Sequence, residues 1–115
     1  MGIFGALFGG DDFENLSAEE FKSRLNETKD AVLIDVRTKP EHNEVRIPNS
    51  KLIEIQSNDF VEKIKNLDRS KSYFLYCRSG SRSHYAAKAF TKLGFEKVYN
   101  LKGGIISWNG PTERN

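Results

Sequence analysis

The sequence predicts an α/β fold built on a mostly parallel sheet, and three observations carry that prediction. Tyr73 to Tyr76 is a run of aromatic and bulky residues that passes through six small or cationic residues, Cys77 to Arg82, into a helical run from His84 to Leu93. That is strand, tight loop, helix. Ala31 to Val36 is apolar except at Asp35, the mark of a strand covered on both faces. Segments of strand character alternate with segments of helical period along the chain, as in a parallel sheet whose connections are helices. Ligands of such sheets bind beyond the carboxyl ends of the strands, which is where Cys77 must lie.

Taken in order, Met1 to Gly10 is an apolar, glycine-rich lead followed by Asp11 and Asp12. It lacks the positive start of a secretory signal and falls short of the roughly 20 apolar residues of a spanning helix. Ala6 stands where an N-myristoylation pattern wants Ser or Thr. Residues 1–12 are expected to be a flexible lead. The alternative is a docking face, since Ile3, Phe4, Leu7 and Phe8 share one side of a helix.

Phe13 to Leu16 predicts a short edge strand. Ser17 with Glu20 is a capping box that opens a helix through about Leu25, with Phe21 and Leu25 facing inward. Pro40 to Val45 is short and polar enough for no more than a helical turn, and Ile47 to Ser50 predicts a turn or irregular crossing. Lys51 to Ile55 alternates as a small strand would. Phe60, Ile64 and Leu67 mark a helix running to Asp68. Beyond the Cys77 loop, Tyr85, Ala86, Ala89, Phe90 and Leu93 repeat at helical spacing, and Gly94 stands where a C-cap belongs. Val98 to Leu101 is the last strand, Gly103 and Gly104 a turn, and Ile105 to Trp108 a final helical turn. The domain is thus expected over residues 13–110, with a polar tail at 111–115.

Length and charge narrow the function. At 115 residues and 37% hydrophobic content the chain holds one domain with a real core. Its 18 Lys and Arg against 16 Asp and Glu leave a net charge of +2 with the signs interleaved, so neither a nucleic-acid footprint nor a membrane surface is expected. The single cysteine excludes an internal disulfide and leaves no CxxC pair for zinc or dithiol exchange. The setting this suits is reducing, and the expected location is cytoplasmic.

The chemistry is concentrated at Cys77. A tight loop aims several backbone N–H groups at one point, and the helix that follows adds its partial positive charge, so an anion is welcome there. A thiol in that cradle, with Arg78 and Arg82 nearby, ionises more readily than a free one, and the thiolate is the nucleophile. His42 and His84 are expected at the surface, because a thiolate held by amides needs no base.

These residues carry a family resemblance. Cys77 Arg78 Ser79 Gly80 Ser81 Arg82 Ser83 resembles the active loop of rhodanese-like sulfurtransferases. Leu33 to Arg37 is similar to that family's Asp-Val-Arg segment, and Glu41 to Pro48 to its Glu-x-x-x-Gly-His-Ile-Pro stretch. Gly94 Phe95, Val98 to Ile105 and Trp108 resemble its closing pattern. Val45 Arg46 and Asn49 Ser50 depart from the family's Gly-His and Gly-Ala. The resemblance implies a three-layer sandwich, with a sheet of about five strands and helices on both faces.

It also implies sulfur transfer in two steps, without metal or organic cofactor. The Cys77 thiolate takes the sulfane sulfur of thiosulfate or a persulfide donor and becomes a persulfide, and a thiol or cyanide acceptor then removes it. In that reading the loop amides from Arg78 through Ser79, Gly80 and Ser81 to Arg82 hold the charged sulfur, while Arg82, helped by Arg78, attracts an anionic donor. Asp35 and Arg37 brace the loop by ion pairing, and Trp108 either walls the pocket or packs under the final turn. Two other readings stand beside it. One is a carrier or interaction module served by a protein sulfur donor or acceptor. The other is a phosphatase or arsenate reductase, disfavoured because Cys77 to Arg82 is one residue shorter than the Cys-x5-Arg loop such enzymes resemble.

Overall fold

The computed structural model describes residues 13–115; the apolar lead, and with it any docking face at Ile3 to Phe8, lies outside the described residues. Five strands, β1 (Glu14–Leu16), β2 (Ala31–Asp35), β3 (Lys51–Leu52), β4 (Ser72–Tyr76) and β5 (Val98–Leu101), form one sheet. Its order is β1-β5-β4-β2-β3, and every pairing is parallel. Helices α1 (Ala18–Glu27), α2 (Lys39–Glu44), α3 (Phe60–Lys65) and α4 (Ser81–Lys92) and a 3-10 turn (Ile105–Ser107) complete the domain.

β4 lies mid-sheet, and all five of its residues are buried. Successive side chains on a strand point to opposite faces, so β4 serves both halves of the core. Tyr73 and Leu75 pack with Phe60 and Ile64 of α3 and Ala86, Ala87 and Phe90 of α4. Phe74 and Tyr76 pack with Phe21 of α1, Leu33 and Leu101. The result is a three-layer sandwich in which full burial of one such aromatic side chain is worth about 2–3 kcal/mol. Continued one residue past β4, the same alternation places Cys77 in the α3–α4 half of the core.

Several element boundaries differ from the sequence expectation, each for a local reason. α4 begins at Ser81 rather than His84, because Gly80 at φ 100° turns the chain and frees the next residues to enter the helix. α2 is a real helix of six residues, held by a capping box between Thr38 and Glu41 with Pro40 in its first turn. β3 stops at Leu52, although Ile53 and Ile55 still donate N–H bonds to Asp35 and Val36 carbonyls. α3 ends at Lys65, three residues short of Asp68. Asn49, which replaces a family glycine, adopts φ 70°, a left-handed conformation that asparagine tolerates. The end of the chain is tied down: Arg46 and Glu113 exchange two backbone hydrogen bonds of 2.9 Å.

Candidate active site

Cys77 leaves β4 at the carboxyl end of the sheet, and only 1% of the residue is exposed. Its sulfur is nevertheless surrounded by donors. Gly80 N–H donates to Sγ at 3.1 Å, Ser83 N–H at 3.4 Å and the Ser83 hydroxyl at 3.3 Å. Ser83 lies in the first turn of α4, where backbone N–H groups have no partner within the helix and are free to serve the sulfur. Burial pushes the thiol up, but the Ser83 hydroxyl and N–H, then the N–H groups of Gly80 and Ser79, stabilise the thiolate more strongly. The net effect is a thiol held below its ordinary range.

The loop is clamped from behind. Ile105 N–H donates to the Cys77 carbonyl at 2.9 Å and Ile106 N–H to the Arg78 carbonyl at 3.2 Å. Gly104 permits this approach, since a Cβ there would fall 2.2 Å from the Arg78 carbonyl oxygen. Asn100 adds a side-chain N–H to the Gly80 carbonyl at 3.4 Å. The turn after β5 therefore sets the shape of the cradle.

Arg82 is engaged by Glu41. Its two terminal nitrogens donate to the two carboxylate oxygens, each at 2.9 Å, and the side chains are 31% and 28% exposed. Glu41 is itself fixed, because Oε1 also accepts from Thr38 N–H and Oγ1, both at 3.0 Å. Hydrogen bonds from Arg82 above all hold the Glu41 carboxyl down at about 2, against the effect of burial. Arg78, Ser79 and Ser81 are exposed on the loop, and Arg78 forms no ion pair among the described residues.

Asp35 and Arg37 pair with each other through bonds of 2.9 and 2.8 Å, and both are buried. Their further hydrogen bonds go to α2, Tyr76 and Val45 rather than to the cysteine loop itself. Arg37 reaches the Val45 carbonyl at 2.6 Å, while Asp35 accepts from His42 Nδ1 at 2.9 Å and Tyr76 hydroxyl at 3.2 Å. The Tyr76 hydroxyl in turn accepts from Ile47 N–H at 3.1 Å and lies 3.0 Å from Ser50 Oγ. Burial, and then the Asp35 charge, push Tyr76 up to about 12, so it stays a phenol at neutral pH. The pair thus braces the segment from Val45 to Ser50 on the face opposite Cys77. His42 is part of this network rather than a surface residue; only 14% of its side chain is exposed.

Trp108 also sits on the opposite face. It packs edge-on against Phe21, with Nε1 donating to the Pro111 carbonyl, and lines a recess with Leu25, Ile47 and Pro48. It packs under the final turn and does not wall the Cys77 loop. The sequence marks no role for Ser83 or Glu41. The local signal for Ser83 is its place as the third helical residue after a glycine cap; the Glu41 to Arg82 pair spans 41 residues and leaves no local signal.

A family model for the rhodanese-like domain matches residues 17–111. The chain belongs to the rhodanese-like family. A Bacillus subtilis protein named "Putative sulfurtransferase YtwF" is 34% identical over 102 residues, which cover 89% of this chain and 96% of that protein. A protein of Allochromatium vinosum named "Sulfurtransferase" is 31% identical over 93 residues, 81% of this chain and 85% of the relative. The crystal structure of a rhodanese-like domain protein from Staphylococcus aureus superposes with a TM-score of 0.76 at 26% identity, covering 89% of this chain and 98% of the other. The five-stranded all-parallel sheet is therefore that of a rhodanese-like domain.

Ser83 offers a direct handle on thiolate stabilisation in this domain. Replacing it with alanine removes one hydrogen bond to the charged sulfur, so the pH midpoint of Cys77 alkylation should rise. The alkylation rate at pH 7 should fall roughly fivefold, the equivalent of about 1 kcal/mol. An unchanged midpoint would show that the hydroxyl does not serve the thiolate.

Proposed function

We propose that the protein is a sulfurtransferase in which Cys77 carries the transferred sulfur as a persulfide. The observation that supports this reading is the convergence of three donors from Gly80 and Ser83 on one sulfur. Those donors stabilise a thiolate before the reaction. Donors clustered in this way are equally suited to the charged sulfur of the persulfide that follows.

In the first half-reaction the thiolate attacks the outer sulfur of thiosulfate or of a persulfide. The donor's S–S bond breaks, and sulfite or a thiolate departs with the bonding electron pair. In the second, an acceptor thiolate or cyanide attacks the outer sulfur of the Cys77 persulfide, and the enzyme thiolate leaves. Each step moves one sulfur atom with no net oxidation, so the cycle closes with donor and acceptor alone. A carrier serving one protein donor or acceptor would use the same intermediate and differ only in which molecule completes the cycle.

The test is intact-protein mass after treatment with a sulfane donor and removal of the excess. A gain of one sulfur atom, reversed by cyanide with release of thiocyanate, is expected. No gain with either thiosulfate or a persulfide would exclude the reading. Turnover with thiosulfate and cyanide, set beside turnover with a persulfide and a thiol, separates an enzyme of small donors from a partner-dependent carrier.

A further inference from the structure

Building on that sulfur-transfer reading, we propose that Glu41 is a specificity-determining residue: by occupying both terminal nitrogens of Arg82 it biases the Cys77 loop toward persulfide donors and against thiosulfate. Sequence alone assigns Arg82 to an anionic donor. In the folded chain its two best-placed donors already meet a carboxylate at 2.9 Å each. A sulfonate needing the same paired geometry must displace a partner that is held in place by Thr38 as well.

Charge balance points the same way. Arg82 and Glu41 cancel, which leaves the Cys77 thiolate as the uncompensated charge of the cradle. Thiosulfate approaches as a dianion and must release sulfite, another dianion, next to an arginine whose charge Glu41 already cancels. A protonated persulfide, R–S–S–H, brings no charge on its reacting sulfurs, and its departing thiolate is singly charged. An unneutralised charge near a protein surface is worth enough to shift a donor preference tenfold. Arg78 remains as a cation on the loop, but it is exposed and screened by solvent.

Glu41→Gln isolates the charge. The amide oxygen of glutamine can still accept from Thr38, so the capping box that opens α2 survives. With cyanide as the common acceptor, kcat/KM is measured for thiosulfate and for glutathione persulfide. The thiosulfate-to-persulfide ratio should rise roughly tenfold in Glu41→Gln, mainly through a lower KM for thiosulfate, as expected when one charge-assisted pair becomes available to the donor. In Glu41→Gln with Arg82→Gln, where neither charge remains, the ratio should return to within about threefold of the original value.

An unchanged ratio in the single variant would overturn the proposal, and so would a gain that persists in the double variant. A ratio in the double variant far below the original would also overturn it, since Arg82 would then be serving thiosulfate despite its pairing. The transfer reading fails separately: the unsubstituted protein would form no Cys77 persulfide with either donor, and donor selectivity would fall with it.

Discussion

Replacing Cys77 with serine is expected to abolish persulfide formation, lowering sulfur transfer by more than about 10³-fold, while the protein folds as before. The reason is the contrast between what the sulfur does for the reaction and what it does for the fold. A serine hydroxyl is of similar size and accepts the Gly80 and Ser83 hydrogen bonds, but it does not ionise near neutral pH. Cys77→Ala should be equally inactive and also less stable, by about 1–3 kcal/mol, because buried N–H donors then lack an acceptor. Mass spectrometry after donor treatment and a urea melt of both variants check the two halves of this expectation. Residual sulfur loading of Cys77→Ser would mean that the reaction does not pass through this residue.

The second large effect is on stability. Asp35→Ala should cost about 3–5 kcal/mol, since it leaves the Arg37 guanidinium, 3% exposed, without its counter-charge. Against the 5–15 kcal/mol typical of whole domains, that loss corresponds to a drop of roughly 12–25 °C in Tm. His42 and Tyr76 would lose an acceptor in the same step. Removing both charges with Asp35→Leu and Arg37→Met should recover part of the loss, because the main penalty lies in the unpaired charge rather than in the missing bond. Thermal melts of the single and double variants make the comparison. A loss under about 1 kcal/mol in Asp35→Ala would show that water reaches Arg37 and that the network is dispensable.

These two sites illustrate different degrees of readability. The Cys77 loop is local: strand, small cationic residues and helix follow one another within twenty positions, and each announces itself by periodicity or by residue size. The role of Asp35 and Arg37 was half readable. The family resemblance implied an ion pair, and they do pair, but the partners that give the pair its structural meaning come from α2, β4 and the chain between Val45 and Ser50. The helix starting at Ser81 rather than His84 is a small shift with a chemical consequence, because it brings Ser83 into the first turn and so onto the sulfur.

What the sequence by itself determined is the order of strands and helices, the place of the lone cysteine at the end of a central strand, and membership of a sulfur-handling family. All of these are written in residues close together in the chain, where apolar spacing, glycines and caps act over one or two turns. Only the tertiary structure decided that Arg82 answers to Glu41, and that Trp108 and the Asp35 network lie across the sheet. Those outcomes depend on parallel pairing in the order β1-β5-β4-β2-β3, which brings together groups some forty residues apart. Electrostatic pairing is set by distance in space, and no local pattern in a chain records it.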